Sequence, residues 1–510
     1  MNGKLILKVI GILLSIEAGL MMLCMFVGYF HEEGFYPFVW PTLATSAVSI
    51  LLHFLGRGAP STMSRKDGYL VVTLSWIAFS LMGMFPFLLS GTLPDVASAF
   101  FETMSGFTST GATVIDDCDA QPHSILMWRS LSQWIGGIGI IFFTIAILPA
   151  FGVGEVKLFA AEATGPMHNK VHPRISVTAK WIGTVYLLLT ALCITSLLLC
   201  GMDPFDAVNY ALVTTATGGF GTHSALLHDA FHSPAIEYVL SFFMFISGVN
   251  YTLIYYTVLR GRIRRFFSDA ELRCFIIIFG SVTLVCTAAL VCQRIDWSQF
   301  TTLPFDGLRA GPQLSIIELS FRESLFTVLS LQTTTGLATC DYTTWPVMLM
   351  PCLLFVMFAG ACSGSTSGGF KCVRWSIIFR FVRNELRRIL HPRAVLPVKM
   401  NGQVISPQVT HTLFAFVALF TGSLFVGAFV LALTGVSPDA PADVFDYEDA
   451  FGLAMASLSN VGPAMAYYGP SHSWAILTPA AKWICSALML IGRLEIFPVL
   501  VLFTRGFWKK

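Results

Sequence analysis

Ten mostly apolar runs divide this chain, near residues 6–30, 36–56, 69–91, 124–150, 181–201, 235–260, 273–293, 346–370, 408–434 and 478–504. Each is long enough to cross the roughly 30 Å hydrocarbon core of a bilayer as a helix of about 20 residues. A water-soluble fold must cover its surface with charge, and this chain has little. Of 510 residues, 55% are hydrophobic and 12% charged, against about 25% charged in a soluble domain. The surface must be apolar and its solvent lipid. The first run follows Met1-Asn-Gly-Lys and reaches Phe30 with no small-residue cleavage site after it, so it reads as a retained span rather than a signal peptide. The 12 cysteines form no CxxC pair, and most lie in apolar runs, where Cys packs as a small apolar residue. Cys118 and Cys340 lie in polar loops, where a disulfide stands beside two free thiols as alternative readings.

The net charge of +2 offers no field for nucleic acid; the placement of the charges is what informs. Lys4 and Lys8 precede the first run, and Arg57, Arg65 and Lys66 follow the second. Lys157, Lys170, Arg174 and Lys180 follow the fourth; Arg260, Arg262, Arg264, Arg265 and Arg273 follow the sixth. The stretch from Lys371 to Lys399 after the eighth is strongly basic, and Arg505, Lys509 and Lys510 end the chain. The alternate loops 92–121, 201–234 and 435–477 carry no Lys or Arg, while 294–345 is mixed. The positive-inside rule puts both termini and the basic loops in the cytoplasm. Arg129 and Lys482, which begin spans after outer loops, read as interfacial anchors.

Four outer loops each hold a short semi-polar stretch, too brief to span, that ends in a small-residue cluster. They read TMSGFTSTGATV (103–114), ALVTTATGGFGT (211–222), VLSLQTTTGLAT (328–339) and MASLSNVGPAMA (455–466). Aligned on Gly111, Gly218, Gly336 and Gly462, each has a hydroxyl three residues earlier: Thr108, Thr215, Thr333 and Ser459. Two spans flank each cluster, so the four units share one orientation, unlike an inverted repeat. Bare backbone at membrane depth is tolerated only where it is buried in protein or lines water. Four such stretches around an axis would turn carbonyl oxygens inward, and rings of carbonyls replace the hydration shell of a permeating cation. Glycine permits the required backbone angles. The expected ion-lining segments are therefore Ser109, Thr110, Gly111 and Ala112; Ala216, Thr217, Gly218 and Gly219; Thr334, Thr335, Gly336 and Leu337; and Asn460, Val461, Gly462 and Pro463. A hard monovalent cation is placed at Thr110, Gly111, Thr217, Gly218, Thr335, Gly336, Val461 and Gly462. Asp116, Asp117 and Asp119, with Asp439, Asp443, Asp446, Glu448 and Asp449, would concentrate cations at an outer mouth; singly, each reads as an ordinary solvated charge.

The eighth run is interrupted by Gly360, Gly364, Ser365, Gly368 and Gly369 within a stretch of small residues. Each interior Gly costs a helix about 1 kcal/mol relative to Ala. This is either a flexible loop across a pore or a small-residue face for close helix packing. Arg493 lies mid-span in the last run, where a charge is rare and usually functional. It is expected to face the pore, bond carbonyls of the glycine-rich loop and oppose cation occupancy from inside. Glu495, two residues on, would face another way and is given no role.

On these segments, and on WRSLSQWIGGIGI (128–140), AGACSGSTSGGFKCVR (359–374) and LMLIGRLEIFPVL (488–500), the chain resembles the Trk/Ktr/HKT superfamily of potassium transporters, most closely its bacterial Trk membrane subunit. The resemblance covers nearly the whole chain. It implies an all-α polytopic membrane protein with two extra N-terminal helices and four membrane–pore–membrane repeats around one central pore. The corresponding divisions are 1–60, 61–165, 166–265, 266–400 and 401–510. It makes the glycines a selectivity filter, with Gly111 favouring potassium, and the eighth-run loop a gate. It further implies a homodimer in a bacterial inner membrane and a separate cytosolic regulatory ring that binds NAD or ATP, with no cofactor on this chain beyond the permeating potassium. No phosphate loop is present, since Gly136-Gly-Ile-Gly139 lies in an apolar run. Two other classes are weighed against this reading. A proton- or sodium-coupled transporter would need intramembrane carboxylates, for which Glu17 and Glu495 are the candidates. A membrane enzyme would need a metal site, but His168 and His172 fall on the inner side and His223, His228 and His232 on the outer, with no HExxH.

Overall fold

The computed structural model describes residues 1–59, 64–142, 175–258, 261, 263–294, 312–435 and 445–509. Lys157, Lys170, Arg174, Arg260, Arg262, Asp439, Asp443, His168 and His172 lie outside these residues, as does the end of the run expected at 124–150. Helices α1 (Gly3–Phe30) and α2 (Tyr36–Leu55) form an N-terminal hairpin. On α1 the buried positions Ile10, Leu14, Glu17, Met21 and Cys24 recur at helical spacing, while Ile12, Ile16, Leu23 and Phe26 are exposed. An apolar face left open beside a packed one is what a lipid-facing helix presents.

Four times thereafter, a long helix leads to a shorter helix, an extended segment and a further helix. The first set is α3 (Arg65–Gly83) and α4 (Phe85–Ser90), α5 (Val96–Phe107) and α6 (His123–Phe142). The second is α7 (Ile175–Leu199), α8 (Pro204–Ala216), α9 (Pro234–Ser247) and α10 (Tyr251–Val258). The third is α11 (Ala270–Arg294), α12 (Pro312–Gln332), α13 (Met350–Ala359) and α14 (Cys372–Leu390). The fourth is α15 (Pro407–Thr434), α16 (Tyr447–Ser459) and α17 (Pro479–Arg493). Asp95, Asp203 and Asp446 cap the N-termini of α5, α8 and α16, each accepting from the first-turn backbone, which satisfies orphan N–H groups.

Among the described residues, six helices are long and apolar enough to cross a membrane, or up to eight if each bent pair counts as one span. Two expected continuous spans are broken. The run 235–260 bends by 101° between Ser247 and Tyr251, and the run 478–504 by 113° after Arg493. In the second break Glu495 and Ile496 take φ of 57° and 64°, which a helix cannot accommodate. The run expected at 346–370 is helical only to Ala359; an irregular loop, 360–371, separates it from α14. The fold is not purely helical, because Lys399–Met400 pairs antiparallel with Gln403–Val404. The Asn401-Gly402 turn between them has φ of 47° and 83°, the pairing that a two-residue hairpin favours. Both ends of the described chain meet at the start of α3: the Asn2 backbone N–H donates to Asp67 (2.8 Å) and Lys66 Nζ to the Lys509 carbonyl (2.7 Å).

Candidate functional site

The helix of each unit that leads into a cluster (α5, α8, α12 and α16) ends in the same way. Ser109, Thr217, Thr334 and Asn460 take left-handed φ of 49°, 52°, 57° and 56°. The next residue closes back on the helix, with N–H bonds from Thr110 to Ser105, Gly218 to Val213, Thr335 to Ser330 and Val461 to Ala456, all 2.8–2.9 Å. These are helix C-terminal closures of one type. They fix the equivalence of the segments, and in the second they correct the sequence alignment by one residue. Gly218 matches Thr110, Thr335 and Val461, so Gly219 is the partner of Gly111, Gly336 and Gly462. Gly111, Gly219 and Gly336 share φ of 85°, 89° and 82°. The alignment on a hydroxyl three residues before the glycine slipped here, because Thr217 serves as the helix cap and two glycines follow it.

The four segments abut in a closed cycle. A Cβ on Gly111 would lie 2.0 Å from the Gly218 oxygen, and one on Gly219 2.1 Å from the Thr335 oxygen. A Cβ on Gly336 would lie 3.0 Å from the Gly462 nitrogen, and one on Gly462 2.7 Å from the Gly111 oxygen. Backbone meets backbone at each junction, with room for no side chain. Among the described residues, the carbonyl oxygens of Thr110, Gly111, Thr335, Gly336, Val461 and Gly462 accept no hydrogen bond. Buried carbonyls are normally paired, so this cluster of unpaired acceptors is chemically open to a cation. Above the ring lies a cavity of about 150 Å³, lined by Gly111, Gly219, Gly336 and Gly462 but not Gly218.

Side chains that the sequence reading passed over hold the ring. Gln133 on α6 donates to the Gly218 carbonyl (2.7 Å) and accepts from Phe220 N–H (3.2 Å), so it clamps both sides of Gly219. Its polar amide inside the apolar WRSLSQWIGG stretch was the available signal. Arg129 is not an interfacial anchor: only 1% exposed, it pairs with buried Glu102 (2.9 Å). It also donates to the Gly221 carbonyl (2.8 Å) and Thr113 (3.1 Å), and lies over the Phe220 ring. Glu102 in turn accepts from Val114 N–H (2.9 Å). The pair thus joins the first segment to the second. Lys482 is likewise buried, bonded to Ser98 and the Ala475 carbonyl. Asn460 ties the fourth segment to the first through Thr110 Oγ1 (3.0 Å).

At the rim, His223 bridges Asp119 of the first unit (2.7 Å) and Asp206 of the second (3.1 Å). Partial burial pulls its pKa down, but the hydrogen bonds and charges of the two carboxylates outweigh this, so it stands above the ordinary histidine value. The Ser224 backbone N–H, then His223, hold Asp119 below the usual carboxylate range. Asp116 bonds Ser473 and Asp117 bonds Ser224. Asp449 accepts from Tyr467 N–H and from the backbone N–H of Asp446. Cys118 and Cys340 are free thiols, and Cys118 accepts from Arg129.

The loop 360–371 sits against the inner ends of α8, α12 and α16. Gly368 N–H donates to Thr334 Oγ1 (2.7 Å), and Thr366 Oγ1 to the Thr215 carbonyl (3.2 Å). A Cβ on Gly368 would lie 2.4 Å from the Ser459 oxygen. The break between α9 and α10 receives the loop's first half: Cys362 N–H donates to the Gly248 carbonyl and Asn250 to the Ser363 carbonyl. Gly360, Gly364 and Gly369 have φ between 66° and 73°. Ser365 bonds within the loop, to the Cys362 carbonyl. Arg493 is buried and donates to the Thr366 carbonyl (2.7 Å), Ser109 Oγ (3.1 Å) and the Gly136 carbonyl (3.0 Å). Glu495, given no role from sequence, pairs with Lys371 (2.9 Å) and Arg374 (2.8 Å) at the loop's far end. The sequence argument assumed an unbroken helix, and the turn after Arg493 swings Glu495 toward them. Glu17 is also buried, with neither carboxylate oxygen hydrogen-bonded.

Comparison with known proteins agrees with this geometry. A family model described as TrkH, cation transport protein, matches residues 38–509. The Trk system potassium uptake proteins TrkH of Salmonella typhimurium and Escherichia coli K12 are 35% and 34% identical to this chain, over 100% of both chains in each case. TrkG of E. coli K12 is 33% identical over 90% of each chain. The crystal structure of the potassium transporter TrkH from Vibrio parahaemolyticus matches with a TM-score of 0.86 and 32% identity, covering 100% of both chains. The chain therefore belongs to the TrkH family of cation transport proteins, as a multi-pass membrane transporter and not an enzyme.

Proposed function

We propose that this protein takes up potassium through a single pore formed by its four units, with Gly111, Gly219, Gly336 and Gly462 at the filter. One observation carries the reading: four buried segments close a ring in which the carbonyl oxygens of Thr110, Gly111, Thr335, Gly336, Val461 and Gly462 accept no hydrogen bond among the described residues. Oxygen donors suit a hard monovalent cation, and rings of backbone carbonyls are the means by which such ions are dehydrated and passed. The relatives' names supply the ion, since the Salmonella, E. coli and Vibrio proteins are potassium uptake proteins or transporters. The loop 360–371 lies where it would close the inner side, fastened by Arg493 and by the Lys371–Glu495–Arg374 cluster. We read it as the gate. The four units divide the chain near 61–165, 166–265, 266–400 and 401–510, after the N-terminal hairpin. The chain works in a bacterial inner membrane with both termini cytoplasmic. It acts as one half of a homodimer, on which a nucleotide-binding cytosolic ring docks at the basic helix α14.

A cation-coupled mechanism is the second reading, and Glu17 is the observation that favours it, as a buried carboxylate without a partner. The deciding experiment is potassium and sodium flux into proteoliposomes, with the wild type against Gly336→Ser and Arg493→Ala, in the presence of the regulatory ring. Gly336→Ser should lose potassium flux or its preference over sodium, because the new Cβ meets the fourth segment at φ 82°. Arg493→Ala should raise basal flux. Wild-type behaviour in both variants would remove the filter and the gate together.

The His223 bridge gives a pH dependence. Its raised pKa makes the tie fully present below the unfolded histidine value, about 6.5, and lost as pH rises through the higher folded value. The lowered pKa of Asp119 makes its share present above the unfolded carboxylate value and lost as pH falls through the folded one. Loss of the proton leaves the mouth one unit more negative. Uptake at low potassium is expected to rise by about twofold across that alkaline step through cation focusing. His223→Gln should flatten the step, as measured by rubidium uptake against pH. An unchanged profile in the variant would assign the step to another group.

A further inference from the structure

Two thiols lie at the inner end of the loop 360–371, outside everything the ion pathway uses. Cys372 is the residue that follows the loop and starts α14. Its N–H donates to the Ala361 carbonyl (2.9 Å) and its thiol to the Gly360 carbonyl (3.2 Å), so it fastens the loop's exit to its entrance. Cys274 is in the first two turns of α11, three residues beyond Glu271. The Glu271 carboxylate accepts from Ser363 N–H (2.5 Å) and Ser363 Oγ (3.3 Å) inside the loop. Ser376 Oγ bonds the Ala270 carbonyl (3.5 Å), which sets the start of α14 against the start of α11. In that contact the Cys274 and Cys372 side chains are neighbours. Cys372 is fully buried, whereas Cys274 is partly exposed near the start of α11, next to Arg273 in the chain. Positive-inside placement makes that end cytoplasmic.

We propose that Cys274 and Cys372 are a redox-modification site, and that joining them as a disulfide locks the loop across the pathway. The lock rests on the reading of that loop as the gate. The oxidant is a small disulfide of the glutathione class. Cys274 is the entry point because only it meets solvent. Its thiolate attacks one sulfur of the small disulfide and expels one thiolate, leaving a mixed disulfide on Cys274. The Cys372 thiolate then attacks the Cys274 sulfur and expels the second. Two protein thiols are oxidised by two electrons, the small disulfide is reduced to two thiols, and the two cysteine protons end on those thiols. The bond requires the Cα atoms to come within about 4.4–6.8 Å, a spacing that two helix starts in direct contact can supply. Cys372 gives up its bond to Gly360 and gains a covalent tie to α11, so a loop already held by Glu271 can no longer leave.

The test uses the full-length protein in proteoliposomes with its regulatory ring, treated with oxidised glutathione and then with dithiothreitol. Peptide mapping without reduction should yield a Cys274–Cys372 linked pair. Cys372→Ser should stop at a glutathione adduct on Cys274, and Cys274→Ser should leave Cys372 free. Rubidium flux should be lost on oxidation, return on reduction, and stay unaffected by oxidant in Cys274→Ser. A wild-type protein whose Cys274 stays a free thiol, or stops at the glutathione adduct, would overturn the proposal. A linked pair with undiminished flux would overturn the lock and the gate reading while leaving the thiol chemistry standing.

Discussion

Gly219→Ala is expected to abolish potassium flux in proteoliposomes, and Gly218→Ala to reduce it far less. At position 219 the added methyl would stand 2.1 Å from the Thr335 carbonyl oxygen, on a backbone with φ of 89°. Left-handed backbone costs a non-glycine residue about 1–2 kcal/mol, and the clash falls on main chain that has no other rotamer to adopt. The ring must open at the junction of its second and third segments. At position 218 the obstacle is the Gln133 side chain: its amide, with Oε1 2.3 Å away, can rotate, and only its Cβ, 2.9 Å away, must shift slightly. Displacing the amide loosens the clamp on Gly219 without breaking the cycle. A Gln133→Ala, Gly218→Ala double variant should therefore recover much of what the single variant loses. The opposite order, with Gly218 the more sensitive, would restore the alignment read from sequence and refute the register set by the helix closures.

Arg129→Ala should be the most destabilising single change on the outer side, at about 3–5 kcal/mol, the usual cost of stripping one partner from a buried ion pair. Glu102 would be left charged and enclosed, its partner gone, while the Gly221 carbonyl and Thr113 would lose donors. Thermal unfolding in detergent should show the loss directly, and flux should fall because the first two segments separate. Arg129→Lys should rescue little, since a single ammonium cannot reproduce the forked set of bonds. Glu102→Gln combined with Arg129→Ala should be more stable than Arg129→Ala alone, because the stranded charge is gone. If Arg129→Ala melts as the wild type does, the pair is not what binds the two segments.

Much of the fold was legible because lipid imposes a simple grammar. The apolar runs, the alternation of basic loops and the four clusters all follow from desolvating backbone and charge, and each left a mark in the sequence. What was not legible depended on where helices stop. The run 478–504 is mostly apolar, yet the helix ends at Arg493 and the chain turns by 113°. The reason lies in tertiary bonds: Arg493 is pulled to Thr366, and Glu495 to Lys371 and Arg374. No local propensity encodes them. The same holds for Gly219, where a hydroxyl three residues earlier pointed to its neighbour Gly218 and only the hydrogen bond from Gly218 to Val213 decides. Arg129 and Lys482 were misread for a related reason. A cation at the start of an outer span is ordinarily at the headgroups, and here the loops fold over both.

The fourth quarter of the ring is built differently from the others. Val461 stands where two units have threonine, Pro463 follows the glycine, and Gly462 is absent from the positive-φ glycines. In an assembly of four identical chains any substitution appears four times, and a mild change becomes a fourfold one. A chain that carries all four quarters can alter one and keep three, so ion preference here can drift in quarter steps, and each step can be tolerated while the next arises.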